Sequence, residues 1–465
     1  MRSRRRARAG VAVLAAALLA PTMTTSAGAA TGTVTSWKSA PLDGVIQGAP
    51  AVVGTVAVVA TENDSLYGLS LRDGHILWGP RHIGDPVTHA VIAEVSPSAT
   101  GCGNIDPLGI TSSLAVDVTT NPPRVFAVAE VQPPTTRTPV HELVGVEAPT
   151  GQLVVGPTPV DPPGMTNPEV QQQRAGLTVA NGKVYIGFGG LYGDCGDYHG
   201  FVVAAREDGG GIAGAVEFAD AGAGNRAAGV WSTAAPAIDA TGNVYVATGN
   251  GKSSPAPPAT DHSDAVVRLP PGLGTVASEF QPTSWQSDNA TDLDLGSTAP
   301  VLVGAGQVFE VGKQHHAFLL DGANLGGTDG HTPLASLDVC SALGGNGAIG
   351  ASVYVACQGG VQQVVIDRAT TPPRLRHGWT APVSADGPVT VGAGLVWSVD
   401  TSDHVLYGLD PANGRVVAQH PVSLDASQHF PTPAVGAGWV LVESADRVAA
   451  FRISLPKAPA RRRKR

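Results

Sequence analysis

The chain has 465 residues, of which 14% are charged, 43% hydrophobic and 5% aromatic, and its 59 Gly and 37 Pro make up about a fifth of the total. Glycine and proline at that density exclude a helical bundle or coiled coil, and the low charge density excludes a disordered chain, leaving a turn-rich all-β protein. Of 29 Lys and Arg, five lie at Arg2, Arg4, Arg5, Arg6 and Arg8 and six between Lys457 and Arg465, so the remainder sets 18 basic residues against 38 acidic ones. A body that acidic repels phosphate backbones and argues against a nucleic-acid partner.

In chain order, residues 1–29 read as a signal peptide: the early arginines, an apolar run from Gly10 to Ala20, and a small-residue cleavage site at Ala27-Gly28-Ala29. The run is too short to span a bilayer, so the expectation is a protein that is secreted or held at the cell surface. Residues 30–455 form the folded body. Residues 456–465 are a proline-interrupted basic tail, expected to be solvated and disordered, with the charge to touch anionic lipid or cell-surface polymers.

The body repeats one module. Its fullest copy runs Gly48-Ala49-Pro50-Ala51-Val52-Val53, Val56-Ala57-Val58-Val59-Ala60-Thr61, Leu66-Tyr67-Gly68-Leu69, then Asp73-Gly74 and Ile76-Leu77-Trp78, four short β-runs divided by turns. The last apolar residue of the third run returns as Leu69, Val146, Ala205, Leu269, Leu320, Ile366, Leu409 and Phe451, at spacings of 42 to 77 residues. Eight such modules predict an all-β, eight-bladed β-propeller with four antiparallel strands per blade. The eighth runs out of chain after its third strand, and Thr33 to Ala40 supplies a spare one, so pairing the N- and C-terminal strands closes the ring and removes both sheet edges.

The runs Leu66-Tyr67-Gly68-Leu69 and Tyr407-Gly408-Leu409-Asp410-Pro411-Ala412-Asn413-Gly414-Arg415, with Asp73-Gly74 and Trp78, resemble the repeat of the pyrroloquinoline-quinone-type β-propellers. The best-known members of that family are the quinoprotein alcohol dehydrogenases, and the same repeat also builds non-enzymatic secreted and assembly-factor propellers. The tryptophans that lock blades together in the family match Trp37, Trp78 and Trp379, with Phe218 and Phe280 elsewhere, an incomplete set.

Blade order places the turns within the first hairpin and between strands three and four on one face. The connections between strands two and three, and between blades, share the other. The first set is short, as at Asn181-Gly182 and Gly392-Ala393-Gly394, whereas the long insertions, among them Pro80 to Pro107, Gly156 to Gln173, Leu191 to His199 and Gly251 to Ser263, all belong to the second. That loop-rich face is where binding groups are expected. All four cysteines fall there without the paired Cys-x-x-Cys spacing of a zinc site, and the expected bonds are Cys102 to Cys195 and Cys340 to Cys357.

The same face gathers Asp194, Asp197, His199, Trp231, Asn250, Asp261, Asp264, Asp292, Asp294, Lys313, His315 and Asp400. Carboxylates plus an amide, with Asn250, Asp194 and Asp197 foremost, suit an oxygen-rich calcium site. Trp231 is placed to stack a ring or to cover the channel, and His199 and Lys313 to contact a cofactor. The resemblance implies calcium and pyrroloquinoline quinone: Thr248-Gly249-Asn250-Gly251 looks like the family's calcium-ligating Asn motif, and Asp261 and Asp264 approximate its catalytic Asp. Against that, the family's calcium-ligating Glu falls on Cys195, and Cys102 has no adjacent cysteine partner. The reading is therefore a secreted, monomeric propeller acting as a binding scaffold for a small molecule or an extracellular protein; the alternative is a calcium- and quinone-dependent dehydrogenase of alcohols or sugars.

Overall fold

The second and third β-runs of each module lack strict alternation because both faces of their sheets are covered. In the first blade, Val56–Thr61 and Ser65–Ser70 are buried at every position, while the outer strand Ile76–His82 is exposed at all but one. The computed structural model, which describes residues 35–218, 228–251 and 262–452, arranges these runs as eight antiparallel sheets. They form an eight-bladed β-propeller. Every one of the eight marker residues from Leu69 to Phe451 lies in a third strand. The third blade adds a short strand, Gln171–Gln172, which pairs with Gly189 and Gly190, where the sequence reads as loop. The expected signal peptide and the basic tail lie outside the described residues. Among the described residues, no helix is long and apolar enough to cross a membrane.

Thr35–Lys38 pairs antiparallel with Arg447–Arg452, from Thr35 opposite Arg452 to Lys38 opposite Ala449, and so completes the eighth blade. The short-turn face is built as the sequence predicts. In the first hairpins of the third, seventh and eighth blades, Asn181-Gly182, Ala393-Gly394 and Ala437-Gly438 all have positive φ, the type I′ geometry that matches the twist of the strands.

The apolar core is divided into layers, one at each junction between neighbouring blades. Val58, Leu66 and Trp78 of the first blade pack with Val125 and Val144 of the second. Tyr354 of the sixth packs with Val389, Val396 and Leu409 of the seventh. Several layers are fastened at the same place, the turn after the third strand. Trp78 Nε1 donates to Ala148 O, Trp37 Nε1 to Leu71 O and Trp379 Nε1 to Pro411 O, each at 3.0 Å, and each acceptor lies two residues past a marker. The indole faces a glycine of that turn (Gly151, Gly74 or Gly414), all at positive φ and too close to the ring to carry a Cβ.

Tryptophan marks only some junctions; tyrosine from the second strand uses the equivalent carbonyl at two more and joins Trp379 on Pro411 O at a third. Tyr185 Oη donates to Pro271 O at 2.9 Å, Tyr245 Oη to Gly322 O at 3.0 Å, and Tyr354 Oη to Pro411 O at 3.2 Å. The docking pattern that looks incomplete from tryptophans alone is thus extended by a second residue type. Phe280 fills its junction by packing on Phe318, with ring centroids 4.8 Å apart.

Glu62, Glu310 and Glu443 are buried, as is Glu130. Burial pushes Glu62, Glu310 and Glu443 up to about 8, against hydrogen bonds that favour the charged form, such as Gly109 N to Glu62 Oε2 at 2.7 Å.

Two expectations follow from the layers. Trp78→Ala removes a buried ring and its hydrogen bond and should destabilise the ring by about 3–5 kcal/mol, read as a fall in the denaturation midpoint. Because the folded chain holds protons on the three glutamates more tightly than the unfolded chain does, their contribution is fully present below about pH 4.5. It is lost as pH rises through about 8. Melting temperature should therefore fall from mildly acidic to mildly alkaline pH, and Glu310→Gln should flatten that slope.

Candidate functional site

The connections that rise from the loop-rich face converge on the central axis and enclose a cavity of about 740 Å³. Its lining comes from connections between strands two and three, such as Tyr192, Asp194, Lys313 and Thr401, and from those between blades, such as Arg174, Trp231, Asp386 and Phe430. A void of about 20 Å³, room for about one water, adjoins it and shares Arg174, His429 and Phe430.

These loops carry a small core of their own. Val87, Ile92, Leu108, Val170, Leu191 and Tyr198 pack together with both cysteines of the Cys102–Cys195 disulfide, whose Cα atoms are 6.0 Å apart. The second disulfide, Cys340–Cys357, with Cα atoms 5.7 Å apart, clips the sixth blade, and among the described residues there is no free cysteine. Both pairings are those the sequence predicts.

Trp231 sits against backbone. Cβ atoms at Gly229 or Gly249 would run into its ring, so two bare positions make a bed for the indole, and Tyr198 meets it edge-on at 5.5 Å. Beside it, Asn250 N donates to Asp294 Oδ1 at 3.0 Å and Asn250 Nδ2 to Asp292 Oδ1 at 2.9 Å. Lys313 Nζ reaches Asp292 Oδ1 at 3.0 Å and Asp294 Oδ2 at 2.5 Å. Burial alone would pull the Lys313 ammonium down, but the charges of Asp294 and Asp292 outweigh it and hold the group above its ordinary value. Asn250 Oδ1 is buried with no hydrogen-bond partner among the described residues.

The sequence candidates divide. Trp231, Asp194, Asp292, Asp294 and Lys313 line the cavity, with Asn250 bonded directly to the two aspartates. Asp194 Oδ1 accepts from Tyr198 Oη at 2.5 Å, while Asp197 is exposed and its carbonyl accepts from Asn167 Nδ2 at 3.2 Å. His199 pairs with Glu217 on the outer strand of its blade at 2.5 Å and is not part of the cavity wall. Asp264 is fully buried, accepting from Leu295 N at 3.0 Å, and Asp261 lies outside the described residues. His315 is exposed, and Asp400 closes its own turn through Ser402 N and Asp403 N. Among the described residues, no group of three or more His, Cys, Asp or Glu is placed to hold a metal ion.

Arg174, Asp386 and Phe430 are cavity residues the sequence reading does not single out. Arg174 Nε and Nη2 donate to Trp231 O at 3.3 and 3.1 Å, and its guanidinium lies 4.7 Å from the centre of the Phe430 ring. Burial lowers it to about 10, so it stays charged at neutral pH.

No family model matches the chain, and no curated protein does. Solved structures do. The quinohemoprotein alcohol dehydrogenase ADHIIG from Pseudomonas putida HK5 is 15% identical, with 93% of this chain and 78% of that one covered at a TM-score of 0.63. A europium-containing methanol dehydrogenase is 13% identical, covering 90% of this chain and 93% of that one at 0.58. BamB from Moraxella catarrhalis is 12% identical, covering 92% of this chain and all of that one at 0.54. At these identities the likeness is one of fold.

The floor of the site is an electrostatic unit whose cation is a lysine. Lys313→Met should cost roughly 1–3 kcal/mol, between an exposed and a buried pair, by leaving the nearly buried Asp294 uncompensated. Adding Asp294→Asn should restore more than half of that loss, a coupling that a double-mutant cycle of denaturation midpoints measures.

Proposed function

We propose that this chain is an exported binding propeller that captures a small polar molecule in the central cavity of its loop-rich face. The observation that carries the reading is the cavity itself: about 740 Å³, walled by several blades, with an aromatic ring and a few fixed polar groups. That size lies in the range of small-molecule sites. The loops around it are stiffened by the Cys102–Cys195 bond and by the apolar cluster beneath them. A preorganised rim lowers the ordering cost of binding.

The names of two structural neighbours raise a second reading, a quinone-dependent dehydrogenase. Its test is whether the donors here suit calcium, which takes six to eight oxygen ligands. Asn250 Oδ1 suits that role. The rest of the set does not: both Asp294 oxygens are engaged, by Asn250 N and by Lys313, whose ammonium sits on the two carboxylates as their counter-charge. Cys195, where the resemblance calls for a ligating Glu, is committed to a disulfide.

Incubating the full chain with pyrroloquinoline quinone and calcium, dialysing, then recording the visible spectrum and dye reduction with an alcohol or sugar separates the readings. The binding reading expects no retained chromophore and no turnover; retention together with turnover overturns it.

A further inference from the structure

We propose that Arg174 anchors an oxyanion, a carboxylate or phosphate group, on the molecule that enters the central cavity. The inference rests on the reading of this cavity as a ligand site and names the chemistry its ligand must carry. Among the described residues, two cationic side chains line the cavity, Arg174 and Lys313. Lys313 is neutralised by Asp292 and Asp294. Arg174 has no carboxylate partner among the described residues; its hydrogen bonds there go to one carbonyl, Trp231 O, and its only other charge-related contact there is the face of Phe430.

A half-buried guanidinium left with a carbonyl and a ring is incompletely compensated, and a partly desolvated site tolerates that arrangement poorly unless something completes it. The geometry leaves room for completion. Nε and one Nη2 hydrogen are turned to Trp231 O, while Nη1 makes no hydrogen bond among the described residues. An arginine fork with a free edge on a cavity is suited to a carboxylate or phosphate, which it binds by paired, charge-assisted hydrogen bonds. Arg174 also stands where the large cavity meets the water-sized void, so an anion seated there keeps a hydrated flank.

The acidic groups on the wall fix the direction of binding. Asp386 accepts from Thr401 N at 2.9 Å and Thr401 Oγ1 at 3.0 Å, and Asp194 accepts from Tyr198 Oη. Both are held in place and repel an anion from the rest of the wall. A ligand with an oxyanion at one end and hydroxyl or amino groups at the other satisfies Arg174 and these carboxylates together.

The test titrates the full chain with citrate and, separately, with inorganic phosphate at fixed ionic strength, for wild type and Arg174→Gln. Melting temperatures of Arg174→Met in anion-free buffer serve as the folding control. The expected result is saturable binding of at least one probe that is about tenfold or more weaker in R174Q, the loss of a charge-assisted pair. R174M should melt no lower than wild type, because it removes an uncompensated charge. Which probe binds distinguishes a carboxylate from a phosphate ligand. Equal affinity in wild type and R174Q, or no saturable binding of either probe, overturns the proposal. If neither anion binds while glucose still quenches fluorescence in a way that Trp231→Phe abolishes, the cavity reading stands and the oxyanion falls. If glucose also gives nothing, both fall.

Discussion

The architecture depends on one contact, an aromatic side chain from each of several blades reaching the carbonyl two residues past the third-strand marker of the next. Trp37, Trp78 and Trp379 do this from outer strands, and Tyr185, Tyr245 and Tyr354 from second strands. A single blade cannot bury its faces alone. At those junctions the angle between neighbours is held by where these rings land, and the glycines beneath the indoles are the price of that closeness. With the angle fixed, the first strands face the axis and the long connections are carried toward one another.

What the loops bring together is a small electrostatic contrast. On one side of the cavity a lysine is matched by two aspartates, and on the other an arginine is matched, among the described residues, only by a ring and a carbonyl. The first arrangement is self-sufficient and serves the wall. The second is complete only with a guest, which is why we assign the binding chemistry to Arg174 rather than to the acidic residues that dominate the face by number.

Blade number, strand order and ring closure were legible in the sequence because both faces of each inner strand are covered, so that short apolar runs divided by turns recur along the chain, with Asp73-Gly74 and Asn413-Gly414 at the same offset from their markers. Both disulfides were legible because blade order put Cys340 and Cys357 at the top of one blade and Cys102 and Cys195 in the loops of two neighbouring blades. The tyrosine fastenings were not, since Tyr185 or Tyr245 within an apolar run reads as ordinary core. Nor was the site. Its residues sit in connections with no periodicity, so nothing in the chain distinguishes Asp294, bonded to Asn250, from Asp264, buried behind it. Arg174 follows three glutamines and precedes a strand, and only the folded ring shows that no carboxylate among the described residues meets it.

The last blade is assembled from both ends of the described chain, with Thr35 lying opposite Arg452. A covalent link between those neighbouring ends would add little loop entropy, and the ring has no privileged starting point once closed. New ends could then be opened at a tight hairpin such as Ala393-Gly394, on the face away from the cavity. The order in which the blades are synthesised is thus separable from the order in which they pack, and a circularly permuted chain would keep every seam while moving its termini to a different spoke of the wheel.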